Sequence, residues 1–134
     1  MAINFAVNYL TVVVAAVAAV AIGIVYYGLA GLGDRLARVL GSTPVRQPGA
    51  AQLAIGVVVS LVNAWVLALL SLNLGAASIT DGIMLGVLAW LGFMATLSGA
   101  QVAFQGRPRN AWLITNVHDV VVQVVMAAIV TLWR

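Results

Sequence analysis

Charged residues are almost completely excluded from four long apolar stretches of this chain. Six arginines and three aspartates are its only residues with a formal charge, and Asp119 alone lies well inside an apolar stretch. A charged side chain at the centre of a bilayer costs about 2.5–3.5 kcal/mol on insertion scales, so this segregation predicts segments that cross a membrane. A soluble fold is excluded, because 7% charged residues cannot cover a water-exposed surface, where about 25% is usual.

Four stretches reach the length of about 20 apolar residues that a helix needs to cross a bilayer. They are residues 8–30, 51–73, 81–104 and 111–133. Lipid cannot satisfy backbone polar groups, and the stretches are too long and continuous for barrel strands, so each is predicted to be a helix. The sequence therefore predicts a single all-α domain over residues 1–134, an up-and-down bundle of four transmembrane helices. No Lys or Arg precedes Arg35, so the first stretch is interpreted as a retained span rather than a signal peptide.

The breaks between the stretches have clear turn chemistry. Residues 31–34 are predicted to end the first helix, and residues 34–40 to form a short interfacial helix with Asp34 as its cap. Thr80 or Asp81 is predicted to cap the third helix. The connections after the first and third helices carry five of the six arginines, namely Arg35, Arg38, Arg46, Arg107 and Arg109. The positive-inside rule then places these connections in the cytoplasm and both termini outside, in a bacterial inner membrane.

The fourth stretch has one polar face. At about 100° per residue, this face gathers Trp112, Thr115, Asn116, Asp119 and Gln123. On the same helical wheel, the His118 side chain points about 100° or more away from that of Asp119, because adjacent residues of a helix do not face each other. The wheel therefore predicts no His118–Asp119 pair.

Asp119 has two interpretations. It is either a proton or cation site with Asn116, Gln123 and Asn63 of the second helix as neighbours, or a structural polar contact. In the structural interpretation it bonds across helices, or pairs with Arg107 or Arg109 reaching down from the loop.

His118, the only histidine, is interpreted as a helix-contact residue, with axial ligation of a haem or chlorophyll-type pigment as the alternative. No cofactor and no metal site are predicted. The chain has no cysteine, and no glycine pattern follows a strand, so neither a thiolate site nor a nucleotide site is expected.

Small residues recur at four-residue spacing, as at Ala15, Ala19 and Gly23, at Gly56 and Ser60, and at Gly82 and Gly86. Such spacing lets membrane helices approach closely, either within the bundle or between copies of the chain.

Three functions remain open from the residues. The first is a non-enzymatic membrane protein that associates with itself or with other membrane subunits. The second is a small transporter or proton conductor using Asp119. The third is a haem- or pigment-binding subunit. The bilayer is an expected partner and nucleic acid is not, because no exposed basic surface is available.

Three groups of segments follow one another along the chain: residues 23–28 with 34–41, residues 92–96 with 104–108, and residues 113–116 running to 126–129 and Trp133. Their order and spacing resemble a family of small bacterial membrane proteins, domain of unknown function 1761. Members of this family often have a proline soon after an aromatic pair. In this chain the pair is Tyr26–Tyr27, and Gly28 and Leu29 follow it. The resemblance implies four membrane spans and no particular activity.

Overall fold

The protein is all-helical over the residues that the computed structural model describes, 2–44 and 47–134. Four long helices are each apolar and long enough to cross a membrane, and they pack together as a bundle. In chain order the helices are α1 (Tyr9–Leu29), α2 (Leu32–Leu40), α3 (Ala50–Leu74), α4 (Ile79–Gln105) and α5 (Arg109–Leu132). The four long helices match the predicted stretches to within two residues, and α2 is the predicted short helix.

Two helix starts differ from the sequence prediction. Helix α2 begins at Leu32 rather than Asp34, because Gly31 makes the turn in the left-handed conformation with φ of 71°. Asp34 then lies in the first turn of α2, where its negative charge interacts favourably with the positive end of the helix dipole. Helix α4 begins after Ser78, whose hydroxyl accepts a hydrogen bond from the Asp81 backbone N–H at 3.1 Å, while the Asp81 carboxylate accepts one from the Ser78 N–H at 2.9 Å. This capping box makes Asp81 the third helical residue rather than the cap.

Two of the long helices contain π-helical turns. The last six residues of α1, Ile24–Leu29, and the central segment of α4, Trp90–Ala95, have this wider geometry. Single π turns inside α-helices change the direction of the side chains that follow and are frequent at functional sites. Both π turns occur where α1 and α4 present aromatic side chains to α5.

Helix α5 is the central helix, since it packs against α1, α3 and α4. Its closest approach is to α4. A Cβ atom added to Gly86 would lie 2.6 Å from the Val124 Cα atom, and one added to Gly82 would lie 2.9 Å from the Ala128 Cα atom. The four-residue spacing of these glycines therefore serves packing within the bundle. Ala15 and Ala19 of α1 are also buried in the core.

The two ends of the bundle are packed differently. The terminal end is defined by Asn8, the α3–α4 turn and Trp133. It is held by a buried hydrogen bond between Ser71 and Thr131 at 2.9 Å and a partly buried one from the Thr11 hydroxyl to the Trp133 carbonyl at 2.6 Å. The arginine end, defined by α2 and the α4–α5 turn, is open. All residues from 50 to 59, the first turns of α3, are exposed on every side. Arg46, predicted to belong to the arginine end, lies outside the described residues.

Candidate functional site

His118 and Asp119 form an ion pair in the middle of α5. The His118 Nδ1 atom lies 2.9 Å from Asp119 Oδ1, and this is the only ion pair among the described residues. The prediction that these neighbours do not meet was wrong. Their Cβ atoms do diverge around the helix, but Nδ1 is the ring nitrogen nearest the backbone, and the short Asp119 carboxylate turns toward it. The helical wheel describes Cβ directions and omits these side-chain torsions.

Two tyrosines of α1 enclose the imidazole ring. The ring centroids of Tyr26 and Tyr27 lie 5.4 Å and 4.7 Å from that of His118. The Tyr26 hydroxyl donates a 2.7 Å hydrogen bond to the Ile114 carbonyl of α5, which fixes the π turn against this helix. His118 Nε2 is buried without a hydrogen-bond partner and would lie 3.6 Å from a Cβ atom at Gly23. The imidazole therefore has one bonded nitrogen, toward Asp119, and one enclosed nitrogen.

The enclosure of Nε2 bears on pigment or haem ligation. A metal held by imidazole lies about 2 Å from the nitrogen and needs an open face there. His118 Nε2 has no such open face, because it is buried beside α1 near Gly23. In this conformation α1 would have to move before a ring-shaped group reached Nε2.

The loop arginines do not pair with Asp119. Arg107 donates a 2.8 Å hydrogen bond from Nη1 to Gln101 Oε1, across the turn between α4 and α5. Arg109, the first residue of α5, is exposed at the arginine end. The predicted partnership with either arginine is therefore wrong. Asp119 lies ten residues beyond Arg109 in α5, about 15 Å along the axis at 1.5 Å per residue, which exceeds the reach of an arginine side chain engaged in the turn.

Asn116 and Gln123 belong to two separate contacts with α3 and α4. Gln123, which was expected beside Asp119, instead donates a 3.2 Å hydrogen bond from Nε2 to Asn63 Oδ1 and lies 2.9 Å from the Met94 sulfur. Asn116 accepts a hydrogen bond from Trp90 Nε1 at 3.0 Å and donates to the Ser98 hydroxyl at 3.1 Å. Both amides are buried, so these bonds join α5 to its neighbours. Neither amide is hydrogen-bonded to Asp119, contrary to expectation.

The ion pair lies at mid-depth of the apolar span. Asp119 is ten residues from the start of α5 and thirteen from its end at Leu132, so it lies close to the centre of a bilayer core of about 30 Å. Its side chain is 26% exposed and that of His118 16%. On the terminal side of Asp119, the bundle centre is filled by a packed apolar layer of Ala64, Leu67, Met126 and Ala127, each at most 1% exposed.

The family described as "Protein of unknown function (DUF1761)" matches residues 10–131, nearly the whole chain. The chain belongs to this family. No curated protein and no solved structure gives a significant match. The DUF1761 match includes every residue of the site described above and assigns none of them a role.

Some residues of the site carry no signal in the sequence of this DUF1761 protein. Trp90, Met94 and Ser98 look like ordinary members of an apolar helix, and their contacts with α5 depend on the π turn between residues 90 and 95. Tyr26 and Tyr27 lie near the end of the first apolar stretch, a position typical of interfacial aromatic residues, whereas their rings pack on His118. One sequence feature could have indicated a close approach of another helix. The small residues Ala15, Ala19 and Gly23 recur at four-residue spacing directly before the aromatic pair Tyr26–Tyr27.

Proposed function

We propose that this protein is a small, non-enzymatic membrane transporter that moves protons, or a solute together with protons, through His118 and Asp119. The observation that carries the proposal is the 2.9 Å pair of two titratable side chains at mid-depth of a span. Ionisable groups at this depth are costly, and where they are retained they commonly mark proton and ion pathways. Imidazole and carboxyl groups can each accept and release a proton, and the Asp119 carboxylate is partly accessible.

The packed apolar layer of Ala64, Leu67, Met126 and Ala127 favours slow, gated proton movement over a permanently open pore. Leu67 and Met126 fill the bundle centre on the terminal side of Asp119. A proton that reaches Asp119 crosses this layer only when the helices shift. The π turns in α1 and α4 lie beside the pair and are natural places for such a shift.

The test is proton movement into vesicles that contain only the purified protein. With a potassium diffusion potential across the membrane, we expect acidification or alkalinisation of the lumen at a rate above that of protein-free vesicles, reported by an enclosed pH-sensitive dye. A rate equal to that of protein-free vesicles, for both signs of the potential, would contradict the proposal that the protein moves protons without a solute.

The proposed location is a bacterial inner membrane, with the arginine end in the cytoplasm. The described residues of that end include Arg35, Arg38, Arg107 and Arg109, whereas the terminal end has Arg134 alone. The cysteine-free chain allows a clean test with Ser42→Cys and a membrane-impermeant maleimide. We expect no labelling in intact cells and labelling after lysis. Labelling in intact cells would place this end outside.

A second candidate function is association with a second copy of the chain, and the exposed start of α3 favours it. A helix inside a bundle normally buries one face, but residues 50–59 have none buried, over about 15 Å of helix. A Cβ atom at Gly56 would meet nothing within 4 Å. This stretch offers a small residue in an apolar surface, the kind of surface on which membrane helices pair.

Single cysteines test the association directly. Gly56→Cys should form a disulfide-linked dimer in vesicles under mild oxidation, because disulfide formation requires Cβ atoms within about 4.5 Å. Gly92→Cys is the matched control, since Gly92 is also open to its surroundings but lies on α4. Monomers only at both positions, or equal crosslinking at both, would argue against a specific α3 contact.

A further inference from the structure

A groove lies on the outer side of the arginine end, between α4 and α5. It has a volume of about 300 Å³ and is lined by Gly99, Val102, Arg109, Trp112 and Leu113. This volume is at the lower end of the range for ligand pockets in proteins, about 300–1,000 Å³. Its lining is apolar apart from Arg109, the one charged residue of the groove.

Arg109 has no partner of opposite charge in the described part of the chain, where the pair of His118 and Asp119 is the only ion pair. Its side chain is exposed and lines the groove. Trp112 Nε1 is buried, so the indole lines the groove with its ring carbons rather than with its N–H. The Arg109 guanidinium is therefore the polar group that an anion in this groove would meet.

The order of these groups along α5 matches the order of groups in a phospholipid. Arg109 is the first residue of the helix, at the level of lipid headgroups, and Trp112 and Leu113 follow one turn deeper. The local charge also favours an anion. The described residues at this end carry Arg35, Arg38, Arg107 and Arg109 against Asp34 alone. Basic pockets between transmembrane helices commonly bind anionic headgroups.

We propose that this groove binds one anionic phospholipid. Arg109 binds its phosphate, and an acyl chain lies along Val102, Leu113 and the ring of Trp112. The proposal is independent of proton transport, since none of these residues contacts His118 or Asp119 in the hydrogen bonds of the site.

The test uses spin-labelled phosphatidylglycerol and phosphatidylcholine with the purified protein in phosphatidylcholine vesicles. For the wild-type protein we expect phosphatidylglycerol to be preferred by about fivefold, as one arginine near an anionic lipid provides. Arg109→Gln should bring this preference close to unity.

Arg134→Gln is the matched control, because it removes an arginine from the opposite end of the bundle. We expect it to leave the preference unchanged. An unselective wild-type protein, or a preference that survives Arg109→Gln, would overturn the proposal. An equal loss in Arg109→Gln and Arg134→Gln would also overturn it, since it would show attraction by overall charge rather than by the groove.

Discussion

Gly86→Ala should destabilise the protein by at least about 2 kcal/mol, in the range expected for an overpacked core. The added Cβ atom would lie 2.6 Å from Val124 Cα and 2.7 Å from the Gln123 carbonyl oxygen. Both atoms belong to the backbone of α5, so the strain cannot be relieved by turning a side chain. The helices α4 and α5 must separate, and the contacts of α5 with Trp90 and Met94 would loosen with them.

Gly56→Ala is the control for this substitution. It makes the same chemical change in α3, where the new Cβ atom would meet nothing within 4 Å. Removing a glycine from a helix interior is favourable by about 1 kcal/mol, so stability should stay equal or rise. Thermal unfolding in detergent, followed by circular dichroism, compares the two variants. Equal unfolding midpoints for Gly86→Ala and Gly56→Ala would contradict the close packing of α4 on α5.

The sequence was sufficient to predict the four spans because the bilayer leaves few choices. A chain with so few charges must place them in the connections, and each apolar stretch must form a helix to satisfy its backbone. The resulting bounds agree with α1, α3, α4 and α5 to within two residues. Helix starts were harder to predict, since Gly31 and Ser78 compete with nearby aspartates that are equally plausible caps.

The site was only partly predictable, because its contacts depend on how the helices are rotated against each other. Gln123 and Asn63 were expected only as neighbours of Asp119, and they bond to each other instead. The pairing of His118 with Asp119 depends on side-chain torsions within one helix, and the tyrosine contacts depend on a π turn in another. Spacing alone also could not distinguish Gly86, which is in tight contact, from Gly56, which is open.

Asp119→Asn should abolish proton movement. Asparagine keeps the size of the side chain but cannot carry a proton, so His118 loses the one titratable group to which it is bonded. Asp119→Glu keeps a carboxyl group and should retain part of the rate. Asp34→Asn is the matched control, because Asp34 is an exposed aspartate on α2, outside the long helices.

The rate of dye-reported proton flux in vesicles, measured for these three variants beside the wild-type protein, is the most direct test of the His118–Asp119 pair. Size-exclusion profiles and unfolding midpoints verify that each variant is folded. We expect the rate of protein-free vesicles for Asp119→Asn, an intermediate rate for Asp119→Glu and the wild-type rate for Asp34→Asn. A wild-type rate in folded Asp119→Asn would contradict a proton pathway through the pair.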